Sequence, residues 1–489
     1  MRPVERSSVT RRSLLKAGSG AAVAAAASPL VTAGSRRARA QGQSVRVLVV
    51  EDPFFFSLRE VLPDFEAETG IAVELESLGY DALQARLVSS FVAKTSDADV
   101  ITVDQMWSGQ YADNGWIIPL NDFAKGDAEL DLGDFVPQVL HSMNLWRGNL
   151  VTLPIAAYAQ GVMYRTDLFD EFGISAPPTA TDESWTWDAY LDVLRSMEGK
   201  QASGGRPLFP TVMCGAQPTP VVHMFTQVSG SMGAEWFRQF PRAPWDFEPT
   251  IDSPEWIAAL TTYQDLYKLS PPEAINYTWF DAGTRYSQGD VGMFFWWTPY
   301  FYLIKNNGYM SGTPSEIIDS YAVAALPKAA GVDQTISIGG WSLGVPSSSD
   351  NQEAGYQFVK WATSAATQRK MAMVPTYNYQ FSDFARTSLY ADEEVRAIYP
   401  YLDVQLDMMG QGNGKIPRPP MPSYAALEGI FGLQLNRALS EEGDPAAVLA
   451  DTKELFTNIL KGSFMIPYQL ESYDDTLEAA EAVIAELAG

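Results

Sequence analysis

The sequence predicts an α/β fold in which sheets are flanked by helices, and three observations carry that expectation. Strand-like apolar runs alternate with helical patterns from Ser44 to Val103. Glycine and proline fall where elements should stop. About 450 residues follow position 40, which suits two or three domains better than one. In order, Ser44 to Val50 (SVRVLVV) reads as a buried strand and Leu58 to Thr69 as a helix closed by Gly70. Ile71 to Leu75 alternates as a strand, Tyr80 to Lys94 is amphipathic, and Asp99 to Val103 reads as a third strand. This order implies a mostly parallel sheet, with ligands bound beyond the carboxyl ends of its strands. Glu51 and Asp52, then Tyr80 and Asp81, then Asp104 and Trp107 therefore fall on one rim.

Residues 1–40 read as an address. Thr10-Arg11-Arg12-Ser13-Leu14-Leu15-Lys16 matches the twin-arginine export pattern, a mild apolar stretch follows, and Ala38-Arg39-Ala40 has the shape of a signal-peptidase site. The apolar stretch falls short of the roughly 20 residues a membrane span needs. Without the eight basic and one acidic residue of this leader, the totals of 34 and 59 leave a net charge of −32. Such a surface repels nucleic acid and anionic membrane. Cys214 stands alone, so no internal disulfide or cysteine metal site is expected. With only His141 and His223 present, histidine-based catalysis or metal binding is disfavoured, and no cofactor is expected. The acidic loop Asp127–Gly133 departs from a calcium loop, with its glycine one position late and Gln138 where a bidentate Glu belongs.

Further along, Val151 to Leu153 reads as a strand stopped by Pro154, and Gly161 to Tyr164 as the next strand after the turn Ala157-Tyr158-Ala159-Gln160. Thr166 caps a helix over Asp167 to Phe172 that Gly173 ends, and Thr186-Trp187-Asp188 opens a longer one. Ala202 to Gly233 reads as irregular, Ser253-Pro254-Glu255 as a helix start.

The series Leu153-Pro154, Tyr164-Arg165-Thr166-Asp167-Leu168-Phe169, Gly173 and Thr186-Trp187-Asp188 resembles the sugar-binding proteins of ABC importers, the family of maltose-binding protein. So do Asp104, Trp107, Tyr111-Ala112, Gly115 and Pro119-Leu120, the run Tyr286 to Tyr300, Gly339-Gly340-Trp341, and Phe358-Val359-Lys360-Trp361. The resemblance covers residues 44 to 465 and implies a two-lobed periplasmic binding protein fold of type II with three chain crossings. The first lobe would comprise 44–155 plus 340–412, the second 156–339 plus 413–489, after the leader 1–40. It implies capture of a mono- or oligosaccharide or polyol in an aromatic cleft by hinge closure, and delivery to the transmembrane permease subunits. The chain would act as a monomer, without catalysis, in the periplasm or on the outer face of the cell membrane. Ligand contacts are expected from Glu51, Asp52, Tyr80, Asp81, Asp104, Trp107, Tyr158, Gln160, Trp297, Gly340, Trp341 and Tyr424. Register leaves open which of Trp296, Trp297 and Tyr300 faces the cleft, since alternation sends the two tryptophans to opposite faces. An exported hydrolase with paired carboxylates and a binding protein for a polyamine or another non-sugar remain alternatives.

Overall fold

The computed structural model describes residues 43–95, 97–304, 315–375, 381–462 and 473–489. The twin-arginine leader lies outside the described residues. Gln43–Gly489 form one compact unit built on two sheets. Strands β1 (Ser44–Val50), β2 (Ala72–Leu78), β3 (Val100–Asp104), β4 (Leu153–Tyr158) and β9 (Gly339–Gly344) make the first, in the order β2-β1-β3-β9-β4. Strands β5 (Gln160–Arg165), β6 (Phe209–Thr211), β7 (Val291–Trp297) and β8 (Tyr321–Ala324) make the second, in the order β6-β7-β5-β8.

Both sheets are mixed rather than mostly parallel. β1 runs parallel to β2 and β3, but β9 is antiparallel to both its neighbours. β6 runs parallel to β7, while β5 is antiparallel to β7 and β8. The antiparallel pairs arise where the chain leaves one sheet and returns from the other: only Ala159 separates β4 from β5, and β9 comes back after β8. Pro154 lies inside β4 instead of ending it. β4 is an edge strand and its pairing with β9 shifts between Trp341 and Ser342, opposite Ala156 and Pro154, so the missing N–H is tolerated there.

Helices α1 (Pro53–Thr69) and α2 (Tyr80–Ala93) follow β1 and β2. Helix α3 (Thr166–Phe172) ends at Gly173 with φ of 66°, and the Thr186 side chain caps α4 (Trp187–Ser196) at Ala189 N. α6 (Pro254–Lys268) starts at the expected Ser-Pro-Glu. The segment expected to be irregular contains α5 (Thr219–Ser231), buried on every side except at Thr219. It carries no amphipathic pattern to read, since a helix buried all round needs no polar face. Its small residues admit close neighbours: a Cβ on Gly230 would sit 2.9 Å from Pro417. α7 (Trp279–Ser287) opens with a Thr278/Asp281 capping box, and α8 (Tyr424–Ser440) packs against α5.

The acidic terminal helix α9 (Leu477–Ala488), expected with the second lobe, packs on the 121–144 segment beside the first sheet. Lys415 Nζ meets Asp475 Oδ1 at 2.5 Å with both side chains buried, and His141 Nε2 lies 2.8 Å from Asp475 O. The acidic loop is occupied by protein: Lys360 Nζ donates to Asp127 at 2.7 Å and Glu129 at 3.0 Å. Among the described residues no helix is long and apolar enough to cross a membrane.

Removing one partner of the buried Lys415–Asp475 pair strands the other charge. Lys415→Met should cost about 3–5 kcal/mol, and adding Asp475→Leu should return much of it. Urea unfolding of the three proteins measures both steps.

Candidate functional site

A cavity of about 200 Å³ opens where β1, β3 and β4 end, and second-sheet elements cover it. Asp52 holds the N-cap position of α1 in extended conformation, yet its carboxylate caps no helix N–H. It turns into the cavity and accepts from the Tyr158 hydroxyl and from Trp341. Asp52 keeps part of its surface open to the cavity, but the protein around it excludes bulk water and pushes its carboxyl from 3.8 to about 7.

Asp104, the last residue of β3, accepts from Met106 N at 3.4 Å and from Arg418 at 3.3 Å. Burial raises its carboxyl against the lowering effect of Arg418. Arg418 is 2 % exposed, its guanidinium lies 5.2 Å from the centre of the Trp297 ring, and its backbone carbonyl accepts from Gln105 at 2.9 Å. On α5, His223 Nδ1 accepts from Trp279 Nε1 at 3.3 Å, which puts the proton of the neutral ring on Nε2. That Nε2 lies 3.2 Å from Glu428 Oε1, close but without hydrogen-bond alignment. Burial holds the imidazole well below its usual range and lifts Glu428 from 4.5 to about 7.

The walls are aromatic. Tyr80 sits 5.2 Å from Trp107, 5.8 Å from Trp341 and 5.8 Å from Trp279, and Trp107 lies 5.7 Å from Trp341. These edge and tilted packings add to the apolar burial they provide. Trp279 thereby links α7 to α2, and Phe280 beside it is 41 % exposed at the cavity mouth.

Of the twelve residues expected from the sequence, the cavity is lined by Glu51, Asp52, Tyr80, Asp104, Tyr158, Trp297, Gly340 and Trp341. Four lie elsewhere. Trp107 backs Tyr80 and Trp341 from behind. Gln160 is fully buried and donates to His223 O at 3.3 Å. Tyr424 is buried against Trp236. Asp81 is exposed in the first turn of α2. Between the adjacent tryptophans, Trp297 faces the cavity and Trp296 is core, while Tyr300 also lines it. Sequence reasoning missed His223, Trp279, Phe280, Pro299, Leu303 and Arg418 as lining residues. Arg418 left one signal, a lone arginine in a proline-rich connector that has no helix to cap.

A two-sheet α/β chain with an aromatic and acidic cavity at its strand ends is the architecture of a solute-binding protein. A family model described as bacterial extracellular solute-binding protein matches residues 55–369, and the chain belongs to that family, the solute-capturing components of ABC transporters. It is similar to an ABC transporter solute-binding protein from Agrobacterium radiobacter K84 solved with ribitol, at 27 % identity and TM-score 0.73, covering 86 % of this chain and 99 % of that one. A solute-binding protein from Agrobacterium vitis S4 with bound D-mannitol shares the fold at 22 % identity and TM-score 0.72, covering 86 % and 99 %. A mannitol-binding protein of Pseudomonas aeruginosa is 23 % identical over 353 residues, which is 69 % of this chain and 76 % of that protein.

The raised carboxyls carry a pH signature. A group whose pKa is higher folded than unfolded stabilises the fold fully below its unfolded value and loses that contribution as pH rises through the folded one. For Asp52 this window runs from 3.8 to about 7, and for Glu428 from 4.5 to about 7. Thermal melts across these windows should show stability falling with rising pH, and Asp52→Asn with Glu428→Gln should flatten the slope.

Proposed function

We propose that this chain captures a hydroxyl-rich solute, a sugar or polyol, in the cavity described above and hands it to a membrane permease without changing it. One observation carries the reading: the rings of Tyr80, Trp279, Trp297 and Trp341 line the cavity beside the acceptors Asp52 and Asp104, the combination that a sugar's C–H faces and hydroxyl edges call for. The ribitol complex and the mannitol-binding relative add support from similar proteins. In this reading Glu51, Asp52, Tyr80, Asp104, Tyr158, Trp297, Gly340 and Trp341 contact the solute, joined by His223, Trp279 and Arg418. Trp107 and Gln160 hold those residues in place from behind.

The two lobes, 44–155 plus 340–412 and 156–339 plus 413–489, close over the solute by hinge motion, with α9 resting on the first. The mature protein begins at Gln41 after twin-arginine export, and works as a monomer outside the cytoplasm. Twin-arginine export has a direct check: with Arg11→Lys and Arg12→Lys together, cell fractionation should find the chain retained in the cytoplasm.

Solute binding to the folded state alone raises stability by about 2.7 kcal/mol at a hundredfold excess over Kd. A carbohydrate screen by thermal shift should therefore find a stabilising solute, and overnight incubation should release no product. Turnover would establish the hydrolase reading instead, and a shift from polyamines alone would establish a cation site. Trp341→Ala should weaken binding roughly tenfold or more, the loss of a central aromatic contact at about 1–3 kcal/mol, measured by calorimetric titration.

A further inference from the structure

Resting on the solute-binding reading above, the geometry points to a neutral, single-unit solute, a polyol or monosaccharide, and against oligosaccharides, sugar acids and amino sugars. Size sets the first limit. The cavity holds about 200 Å³, below the roughly 300–1,000 Å³ of pockets that take drug-sized ligands. Large side chains line its sides: Trp297, Pro299, Tyr300 and Leu303 come from the segment after β7, and Trp279 and Phe280 from α7. Gly339 belongs to this enclosure, since a Cβ there would lie 2.9 Å from the Trp297 ring.

Donors and acceptors set the second limit. Ionised, as it is above about pH 7, the Asp52 carboxyl offers about four acceptor sites. Asp52 fills two with neutral donors, Tyr158 and Trp341, leaving about two for hydroxyl protons of a solute. No cation is among the groups that shift Asp52. Towards Asp104, Arg418 supplies the counter-charge through Nη2 at 3.3 Å, while its Nε–H has no partner among the described residues although the side chain is 2 % exposed. His223 Nε2–H is a second donor there without an aligned partner. The site therefore asks for a molecule that donates to Asp52 and accepts at Arg418. A hydroxyl does both. A carboxylate placed against Asp52 cannot donate to it and adds a negative charge beside Asp52 and Asp104, and an ammonium placed against Arg418 cannot accept from it and meets a like charge. An unmet buried group of this kind is costly, so a solute that sets a charged group in either place loses affinity to one that sets hydroxyls in both.

The test is calorimetric titration of the purified chain at about pH 8, where Asp52 is ionised, with ribitol, mannitol, glucose, maltotriose, gluconate and glucosamine. At least one of the first three should bind tenfold or more tightly than each of the last three. Maltotriose, gluconate or glucosamine binding as tightly as the best neutral single unit would overturn this assignment while leaving the solute-binding reading intact. If none of the six binds, the carbohydrate reading itself fails. Asp52→Asn, checked for folding by circular dichroism, replaces one acceptor oxygen with a donor. It should bind the neutral solute tenfold or more weakly and narrow the gap to gluconate. Unchanged affinity and selectivity in that variant would remove Asp52 from the proposal.

Discussion

Between β3 and β4 the strand Gly339–Gly344 runs antiparallel to both, and its register sets Trp341 opposite Asp104 on one side and Ala156 on the other. Only glycine can hold position 340 in this arrangement. Its φ is +106°, and a Cβ would fall 2.2 Å from Ala156 O. A slip of one residue would send Trp341 to the opposite face of the sheet and remove both a ring of the cavity wall and a donor to Asp52. The same strand brings the chain back from the second sheet. One pairing therefore positions the first sheet, the crossing and the cavity together.

Charge in the cavity is arranged by long-range contacts. Asp104 and Arg418 are separated by 314 positions, yet their ion pair joins the end of β3 to the proline-rich connector. A buried pair of this kind is weak evidence for stability, because desolvation offsets most of the attraction. Its effect is orientation: it leaves the Nε–H of the guanidinium without a partner among the described residues, on a side chain that lines the cavity. Burial meanwhile lifts Asp52 and Glu428 to about 7, so neither is a fixed charge at neutral pH. The mostly apolar wall of the cavity therefore holds an acid, Asp52, whose charge depends on pH.

Local signals were legible where neighbouring residues decide the outcome. The caps at Thr186 and Gly173, the β1-to-β3 alternation and the rim at Glu51, Asp52 and Asp104 depend on short stretches of chain. Pro154 misled because its cost depends on whether the strand lies at a sheet edge, which no local window reveals. Helix α5 misled for a related reason: its surroundings, rather than an amphipathic face, make it helical. Tyr424 and Trp107 are aromatic residues in plausible places that pack behind the cavity. Large aromatics serve packing as readily as recognition, and composition does not separate the two roles.

By itself the sequence determined the α/β class, the placement of acids at the strand ends of the first sheet and the family to which the chain belongs, because periodicity, caps and ordered motifs are properties of contiguous residues. Tertiary structure decided the mixed strand directions, the choice of Trp297 over Trp296, and the convergence of His223, Trp279 and Arg418 on one cavity. These depend on side chains from segments 56 to 314 positions apart meeting in space. The energy of such a meeting comes from burial and pairing after the chain has folded, and nothing near those residues in the sequence encodes it.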